Sequence, residues 1–303
     1  MFEKKILPKI LENLSNYKIN ILKEKINGIY IYNRNGKRNE LPLPYILPEN
    51  KHYFKNEKNI LSEIREDFLC SKYRNIKPHR YFHHLNSSQA MCINFFYPLI
   101  KNQLLENILS FLNIDDTVDY DNVEFEKNSK IEKTGRKTNF DFYIKTKKGI
   151  NLFFEIKYTE RKFGSAKNDE HHRNKFKSDY MPVLKKSTHI SEPYHDEKLF
   201  FENYQVLRNI LNIDKNSYVI FLYLKDNEKL KDKCNEIKTK ILNNELKYNF
   251  KDIDWFELYD YIIKKLDETE NSELEYYQNF YTKYLSYEKV FKGDNSATAD
   301  NTA

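Results

Sequence analysis

One stretch, Thr138–Glu160, constrains the fold more than any other part of this sequence. Its first half alternates apolar and polar residues from Phe140 to Ile144, which is the period of a strand with one buried face. Lys147–Gly149 is a turn signal, and the second half, Asn151–Tyr158, is almost wholly apolar or aromatic, as in an interior strand. The stretch therefore predicts a β-hairpin inside a sheet.

Two charged side chains interrupt the second strand. Glu155 and Lys157 are two residues apart and project from the same face, and a hairpin would bring Asp141 alongside them. Burying two carboxylates and an ammonium group costs free energy unless they have partners or a purpose. Two carboxylates suit an oxygen-preferring cation such as Mg²⁺, and a neighbouring lysine suits a phosphate or an attacking water.

As a bare string, the pattern Asp…Glu-x-Lys favours a simpler interpretation, a hairpin with one solvated face. Lysine and glutamate are abundant in this chain, so such a string also arises by chance. Two features favour a functional site. The strand around Glu155 is apolar except at Glu155 and Lys157, and a basic segment follows it directly.

The composition indicates a folded protein with room for one large or two modest domains, since 303 residues include 32% charged and 15% aromatic side chains. The net charge of +6 permits a polyanionic partner without requiring one. Cys70, Cys92 and Cys234 lack zinc-ligand spacing, so we expect reduced thiols. Because no signal peptide or membrane-length apolar run is visible, we expect a cytoplasmic protein with no membrane contact.

The chain before the central stretch predicts a mixed helical extension over residues 1–95. A strand at Gly28–Tyr32 precedes an Asn-Gly turn, and the proline-rich residues 41–50 are predicted as a loop. Pro98 is expected at the start of a helix over Leu99–Leu112, where proline is tolerated.

The order predicted over residues 98–225 is helix, strand, strand, strand, helix, strand. Apart from the first helix and the central hairpin, these elements are expected at Val118–Phe125, Leu199–Ile213 and Asn216–Lys225. Since the last strand must return by a helical crossover, we expect an α/β unit with a mixed sheet. A helical C-terminal extension over residues 229–292 and a disordered tail over 293–303 follow.

A basic insertion, predicted as a polar loop over residues 158–198, follows the hairpin. From Lys157 to Lys186, nine Lys and Arg residues stand against four acids, an excess of +5. Basic groups interleaved with aromatic rings suit a phosphate backbone, and a solvated loop is an equal alternative. The candidate nucleic-acid contacts are Arg161, Lys162, Lys167, Arg173, Lys175 and Lys177.

Histidine pairs in two places do not predict a metal site. His171 and His172 are adjacent, and adjacent residues rarely face one ion. The segment PHRYFHH, with His79, His83 and His84, also lacks ligand spacing supported elsewhere in the chain.

Several stretches together resemble the PD-(D/E)XK nuclease superfamily, and within it a family of bacterial type II-like restriction endonucleases. The similar stretches are IREDFLCSKY, NSSQAMCINFFYPL, NFDFYI, FEIKYTE and FFENYQVLRN, spread over about residues 60–225. The resemblance implies a restriction-endonuclease-like core of order αβββαβ over residues 96–228. The proline that leads the superfamily motif is absent, because Thr138, Asn139 and Phe140 precede the aspartate.

By position, the resemblance implies that Asp141 and Glu155 bind Mg²⁺ and that Lys157 orients or activates the attacking water. Gln205 and Arg208, in NYQVLRN, are similar to helix positions that support such sites, and Arg208 is also a candidate nucleic-acid contact.

An upstream acid is expected to complete the site. Glu106 on the first helix fits the superfamily role best, and Glu124, Glu126 and Glu160 are the alternatives.

The favoured hypothesis is a Mg²⁺-dependent endonuclease that cuts double-stranded DNA as a restriction enzyme, with a cognate DNA methyltransferase as its genetic partner. Double-strand cleavage at a palindrome would favour a homodimer. Two alternatives stay open. One is a repair, mobile-element or defence nuclease acting on branched or single-stranded nucleic acid. The other is a nuclease-like protein that binds nucleic acid without cutting it.

Overall fold

The computed structural model describes residues 1–48, 57–133, 135 and 137–288, and the chain divides into two compact units. Unit 1 comprises Met1–Pro98 and Ile263–Ala303, and unit 2 comprises Leu99–Ile262. The α-helices are α1 (Phe2–Asn20), α2 (Ser62–Cys70), α3 (Ser88–Lys101), α4 (Glu106–Phe111), α5 (Glu170–Lys175), α6 (Met181–Leu184), α7 (Glu197–Glu202), α8 (Tyr204–Ile210), α9 (Glu228–Glu236), α10 (Trp255–Glu268) and α11 (Glu273–Tyr284). The strands are β1 (Gly28–Arg34), β2 (Lys37–Leu43), β3 (Val118–Asn128), β4 (Asn139–Thr146), β5 (Asn151–Ile156), β6 (Ser217–Tyr223) and β7 (Phe250–Asp254).

Unit 2 is built on a five-stranded mixed sheet of order β3-β4-β5-β6-β7. The first three strands are antiparallel, and β6 and β7 continue the sheet in parallel with β5. The chain between β5 and β6 is largely helical, which is what a parallel return requires. The expected α/β unit with a mixed central sheet is confirmed.

The central hairpin forms as predicted. Its pairing includes Phe142 with Phe154 and Tyr143 with Phe153, so residues two apart on each strand share a face. Gly149 takes a positive φ of 90° in the turn, a conformation that L side chains rarely adopt. Burial of the apolar residues on both strands fixes this register, because a slip by one residue would turn them to the other face.

One face of the sheet packs against the helices that follow the hairpin. Val219, Phe221 and Tyr223 of β6 are fully buried and lie on this face. The partners from the helices are Val206, Leu207 and Ile210 of α8 and Leu230 and Cys234 of α9. This packing places α8 directly over the strand that carries Glu155.

Unit 1 contains a helical group and the separate hairpin β1-β2. Tyrosine hydroxyls of α11 join it to α3. Tyr276 donates to the backbone oxygen of Asn94 at 2.6 Å, and Tyr277 donates to that of Phe95 at 2.7 Å. The Asn94 side-chain amide in turn donates to Tyr284 at 2.8 Å. Buried polar groups in this interface are thus satisfied within unit 1.

The predicted helix over Leu99–Leu112, with Pro98 at its start, is wrong. Pro98 lies inside α3, and the helix ends at Lys101. The chain then turns at Gln103, whose φ of 53° is incompatible with a right-handed helix, and α4 begins afresh at Glu106. Leu99 of α3 and Ile108 and Leu109 of α4 are all buried, so both helices contribute apolar side chains to the interior.

The basic insertion is not an aperiodic polar loop. α5, a π-helical turn over Phe176–Tyr180 and α6 form one helical run. Phe176, Tyr180 and Leu184 recur every four residues and are buried. That spacing exceeds 3.6 residues per turn, and the wider π turn accommodates the difference.

Three further differences concern boundaries. Strand β7 lies within the segment expected to be helical, and β2 extends over Leu41–Leu43, which were predicted as loop. The helix predicted over Leu199–Ile213 is divided at Asn203 into α7 and α8. The predicted loop residues 49–50 and the predicted tail 293–303 lie outside the described residues. In the part of the chain that is described, no helix is both long and apolar enough to span a membrane.

A fully buried lysine, Lys283 of α11, yields a prediction about stability. Its Nζ donates to the backbone and side-chain oxygens of Asn59 at 2.5 and 2.8 Å. Burial lowers its pKa well below 10.5, Arg65 lowers it further, and Glu63 opposes the shift.

We expect the free energy of unfolding to rise with pH in the window that ends near 10.5, because there the unfolded chain binds the proton that folded Lys283 has lost. Lys283→Met should reduce that rise by up to about 1.4 kcal/mol per pH unit. Urea unfolding between neutral and alkaline pH measures it. Lys264→Met, at an exposed lysine, is the matched control, and equal slopes in both variants would contradict the prediction.

Candidate active site

The three predicted site residues meet where strands β4 and β5 separate. Their backbone pairing extends as far as Phe142 with Phe154. Beyond it, the backbone N–H of Ile156 donates to Oδ2 of Asp141 at 2.6 Å. Lys157 directly follows β5, where its own backbone N–H donates to Leu222 of β6 at 2.9 Å. At the end of the hairpin, polar side chains therefore lie within an otherwise apolar sheet.

Glu155 is the most fully engaged carboxylate of the group, with 5% of its surface exposed. Its Oε1 lies 2.8 Å from Nζ of Lys157 and accepts a hydrogen bond of 2.6 Å from Nε2 of Gln205. Its Oε2 accepts from Nδ2 of Asn209 at 2.9 Å. Charge-assisted hydrogen bonds of this kind stabilise a carboxylate that has lost its water.

Helix α8 supplies two of these donors. Gln205 and Asn209 are four residues apart, so both project from one face of the helix toward β5. Sequence reasoning identified Gln205 and missed Asn209. The signal that could have found Asn209 is its i+4 position, since a second amide one turn along reaches the same carboxylate.

Gln205 also connects the site to the basic insertion. Its side-chain Oε1 accepts from the backbone N–H of Gly164 at 2.9 Å, and its own backbone N–H donates to the Gly164 carbonyl at 3.0 Å. One glutamine therefore bonds both the buried carboxylate of Glu155 and the segment that follows β5.

Burial and neighbouring charges shift the pKa of Asp141 and of Lys157. Burial raises the pKa of Asp141 well above its usual value, and the neighbouring charges of Glu155 and Glu126 raise it further, against opposing effects of Lys157 and the Ile156 N–H. Burial alone lowers the pKa of Lys157, but Glu155, Glu160 and Asp141 outweigh it and hold that pKa above the usual value. Lys157 is therefore a cation at neutral pH.

The four candidate upstream acids occupy different places. Glu106 accepts from the backbone N–H of Val118 and the Tyr120 hydroxyl at the start of β3. Glu124 pairs with Lys127, and Glu160 accepts from the backbone N–H of Tyr158 at 2.7 Å while its charge acts on Lys157.

Glu126 is the upstream acid whose charge acts on Asp141. In the β3-β4 pairing, Phe125 lies opposite Phe142 and Lys127 lies opposite Phe140, so Glu126 falls opposite Asp141. Its φ of 54° is left-handed, which for a residue other than glycine costs of order 1–3 kcal/mol. The sequence analysis preferred Glu106 as the upstream acid. It did not anticipate the kink in β3 at Glu126.

The predicted nucleic-acid contacts are divided between surface and interior. Arg161, Lys162, Lys167 and Lys177 are exposed, whereas Arg173 and Lys175 are half-buried. Arg208 donates from Nε to Thr138 at 2.7 Å and to buried Glu132 at 3.3 Å, and its guanidinium lies 4.7 Å from the Tyr204 ring. Within the described residues, no group of three or more His, Cys, Asp or Glu side chains is arranged to hold a metal.

The fold and the site define an α/β protein whose sheet carries a buried carboxylate–lysine cluster braced by a helix. The chain belongs to the family described as "Restriction Endonuclease associating with ARP", whose model matches residues 22–285. The family description indicates a restriction endonuclease. No curated protein and no solved structure matches the chain.

The charge balance of the cluster predicts opposite effects of two neutralising substitutions in metal-free protein. Lys157→Met leaves two buried carboxylates without their cation, and we expect it to lower the free energy of unfolding by about 3–5 kcal/mol. Asp141→Asn removes the cost of burying the Asp141 charge and its repulsion with Glu155 and Glu126, which together raise the pKa of Asp141, and we expect it to increase stability at neutral pH.

Urea unfolding in the presence of a chelator tests both effects. The double variant Asp141→Asn/Lys157→Met should be more stable than Lys157→Met alone, because one of the two unpaired charges is gone. If Asp141→Asn destabilised the protein as much as Lys157→Met does, the ionised carboxylate of Asp141 would not be unfavourable in the folded state, and the prediction would be wrong.

Proposed function

We propose that this protein is a Mg²⁺-dependent endonuclease that hydrolyses phosphodiester bonds in double-stranded DNA, with a restriction-endonuclease-like core of the PD-(D/E)XK type in unit 2. The observation that carries the proposal is the buried cluster of Asp141, Glu155 and Lys157 where two strands separate. Membership of a restriction endonuclease family supports DNA as the substrate.

The donor set fits Mg²⁺. A carboxylate offers about four lone-pair positions, and among the described residues three donors use three of those on Glu155, which leaves one on Oε2. Asp141 supplies a second carboxylate that is half-buried. Mg²⁺ commonly binds one or two carboxylates and completes its shell with water and substrate phosphate, so a third protein carboxylate is not required. Asp141 and Glu155 would hold the ion, which supplies a polarised water and charge stabilisation when bound.

Lys157 acts as a cation rather than as a base in this proposal. In the metal-free protein Glu155, Glu160 and Asp141 outweigh burial and hold the pKa of Lys157 above its usual value, so Nζ is protonated and donates hydrogen bonds at neutral pH. A fixed ammonium beside the reaction position stabilises negative charge that develops on the phosphate.

Gln205 and Asn209 are positioning residues. They hold both oxygens of Glu155 while Lys157 approaches from the same strand, so the carboxylate keeps one orientation. The exposed bases Arg161, Lys162 and Lys167 follow directly, in the segment that Gln205 bonds at Gly164, and we assign them to the DNA backbone.

Cleavage of unmethylated plasmid or phage DNA should require both Mg²⁺ and the cluster. We expect Asp141→Asn and Lys157→Met each to reduce the cleavage rate about a hundredfold or more, because each removes a charge that stabilises the reacting phosphate or its cation. Gel electrophoresis over time measures the rate. Asp121→Asn, at an exposed acid of β3, is the matched control and should cleave like the wild type.

Equal cleavage by wild type and Asp141→Asn would contradict the proposal. Calorimetric titration with Mg²⁺ gives a second measurement, in which Asp141→Asn should lose binding heat that Asp121→Asn retains. Cleavage restricted to branched or single-stranded substrates would instead support a repair or defence nuclease. DNA binding with neither cleavage nor Asp141-dependent Mg²⁺ heat would support a non-catalytic binder.

A further inference from the structure

Unit 1 carries a β-hairpin with a cationic tip that the proposed active site does not use. Strands β1 and β2 pair along their whole length, and Asn35 and Gly36 form the turn with φ values of 52° and 73°. Two positive φ values are the geometry of a tight hairpin turn, for which Asn-Gly is the preferred sequence. The turn presents Arg34, Lys37 and Arg38 to solvent.

A second basic segment lies beside this hairpin. Residues 71–84, SKYRNIKPHRYFHH, contain four Lys and Arg and no acid. Residues 28–43 contain three Lys and Arg and one acid. Seven bases minus one acid is an excess of +6, equal to the net charge of the whole chain.

Aromatic contacts hold the two segments together within unit 1. The Tyr30 ring lies 5.9 Å from that of Tyr81 and 6.0 Å from that of His84. The backbone N–H of Leu47 donates to the His83 carbonyl at 3.0 Å. We refer to residues 28–43 and 71–84 together as the hairpin surface.

The charges of the hairpin surface are largely uncompensated. Among the described residues, no carboxylate pairs with Arg34, Lys37 or Arg80, and none pairs with Arg74 or Lys77. Arg38 does pair with Glu40 at 2.9 Å, but their side chains are 65% and 51% exposed. Such an exposed pair is worth little and exchanges readily for another anion.

Polar groups among the aromatic rings are also unused. Within the described residues, the hydroxyls of Tyr30, Tyr32 and Tyr81 have no hydrogen-bond partner. His84 is 7% exposed, and within the described residues its buried Nε2 has no hydrogen-bond partner. Burial first, and then His83 and His79, lower the pKa of His84 to about 3, so its imidazole stays neutral. Cations beside available hydroxyl donors match phosphate oxygens.

We propose that the hairpin surface binds the phosphate backbone of duplex DNA, as a contact of unit 1 that is separate from the site in unit 2. This inference rests on the proposed function, because it gives a nuclease a second contact with its own substrate. The uncompensated charge suits a polyanion, and seven bases within two short segments match the charge density of a nucleic acid.

The ring geometry favours the backbone over unpaired bases. Tyr30 and Tyr32 stack on each other, with centroids 5.6 Å apart and planes 15° from parallel. Arg80 lies over Tyr81 at 5.3 Å. One face of each of these rings is therefore occupied within the protein, whereas platforms for single strands present open faces to successive bases.

Salt-dependent binding of labelled duplex DNA tests the inference. The measurements use fluorescence anisotropy with the Asp141→Asn background, without Mg²⁺. The triple variant Arg34→Gln/Lys37→Gln/Arg38→Gln should bind more weakly, and its slope of log K against log salt should be shallower by about 2.7, because each phosphate contact contributes about 0.9. The substitutions lie on an exposed turn, so folding is preserved.

A matched control separates local contacts from total charge. Lys4→Gln/Lys5→Gln/Lys264→Gln removes the same three charges from exposed positions of unit 1, and it should keep the slope of the parent. An unchanged slope in the hairpin variant, or equal changes in both triple variants, would overturn the inference. Tighter binding of single-stranded than of duplex DNA would overturn the assignment to duplex.

A second variant, Tyr30→Phe/Tyr81→Phe, removes the two hydroxyls and leaves the packing of the rings. It should weaken duplex binding without changing the slope, since no cation is lost, and unaltered affinity would remove the hydroxyls from the contact.

Failure of the inference is distinguishable from failure of the proposed function. If the hairpin variant binds like its parent while the wild type cleaves DNA, only the inference fails. If the wild type cleaves no DNA with Mg²⁺, the proposed function fails whatever the binding result.

Discussion

Glu155 and Lys157 form an ion pair of 2.8 Å between side chains that are 6% and 10% exposed. Removing two such charges from water costs several kcal/mol each, and their attraction offsets this cost only when further hydrogen bonds satisfy the remaining positions. The surroundings meet that condition. α8 lies over β5 and supplies Gln205 and Asn209, and the segment after β5 returns to bond Gln205. The parallel crossover and the packing of α8 thus place the side chains that bond the Glu155 carboxylate.

Asp141 stands in a different environment. Burial raises the pKa of its carboxylate, and the charges of Glu155 and, across the β3-β4 pairing, of Glu126 raise it further. Lys157 offsets only part of the negative charge, because it is a single cation among several carboxylates. A divalent cation is the species that would balance the remainder, and its binding would displace any proton held on Asp141. The left-handed backbone of Glu126 lies at the same place, where strain is commonly retained for function.

The sequence was sufficient to predict local structure where the hydrophobic periodicity of a segment agrees with its burial in the fold. The alternation in β4, the apolar run of β5 and the charges at Glu155 and Lys157 follow from side-chain period alone, and the structure brings these residues together with Asp141. Three features depend on tertiary context instead. Three of the five residues of β7 are charged, and it is a strand because β6 offers an edge. In the basic insertion the buried apolar residues are separated by charged ones, and a π-helical turn brings them onto one face of the helical run. Asn209 and Glu126 acquire their places only when α8 packs and β3 bends.

The distribution of charge suggests why a chain of this kind needs more than one basic region. The cluster in unit 2 contains more carboxylate than lysine, so in the absence of a bound cation it would repel a phosphate backbone. Attraction must come from elsewhere, and within unit 2 residues 158–186, with eight Lys and Arg against four acids, contribute an excess of +4. The excess of +6 in the hairpin surface is the contribution within unit 1, and acids elsewhere in the chain bring the total back to +6. Local concentration of charge, more than the modest net value, decides how strongly a polyanion is held, because screening limits each charge to about 10 Å. If Asp141 and Glu155 hold a cation as proposed, bases that are grouped, exposed and mostly without carboxylate partners supply the attraction to DNA that the acidic cluster lacks.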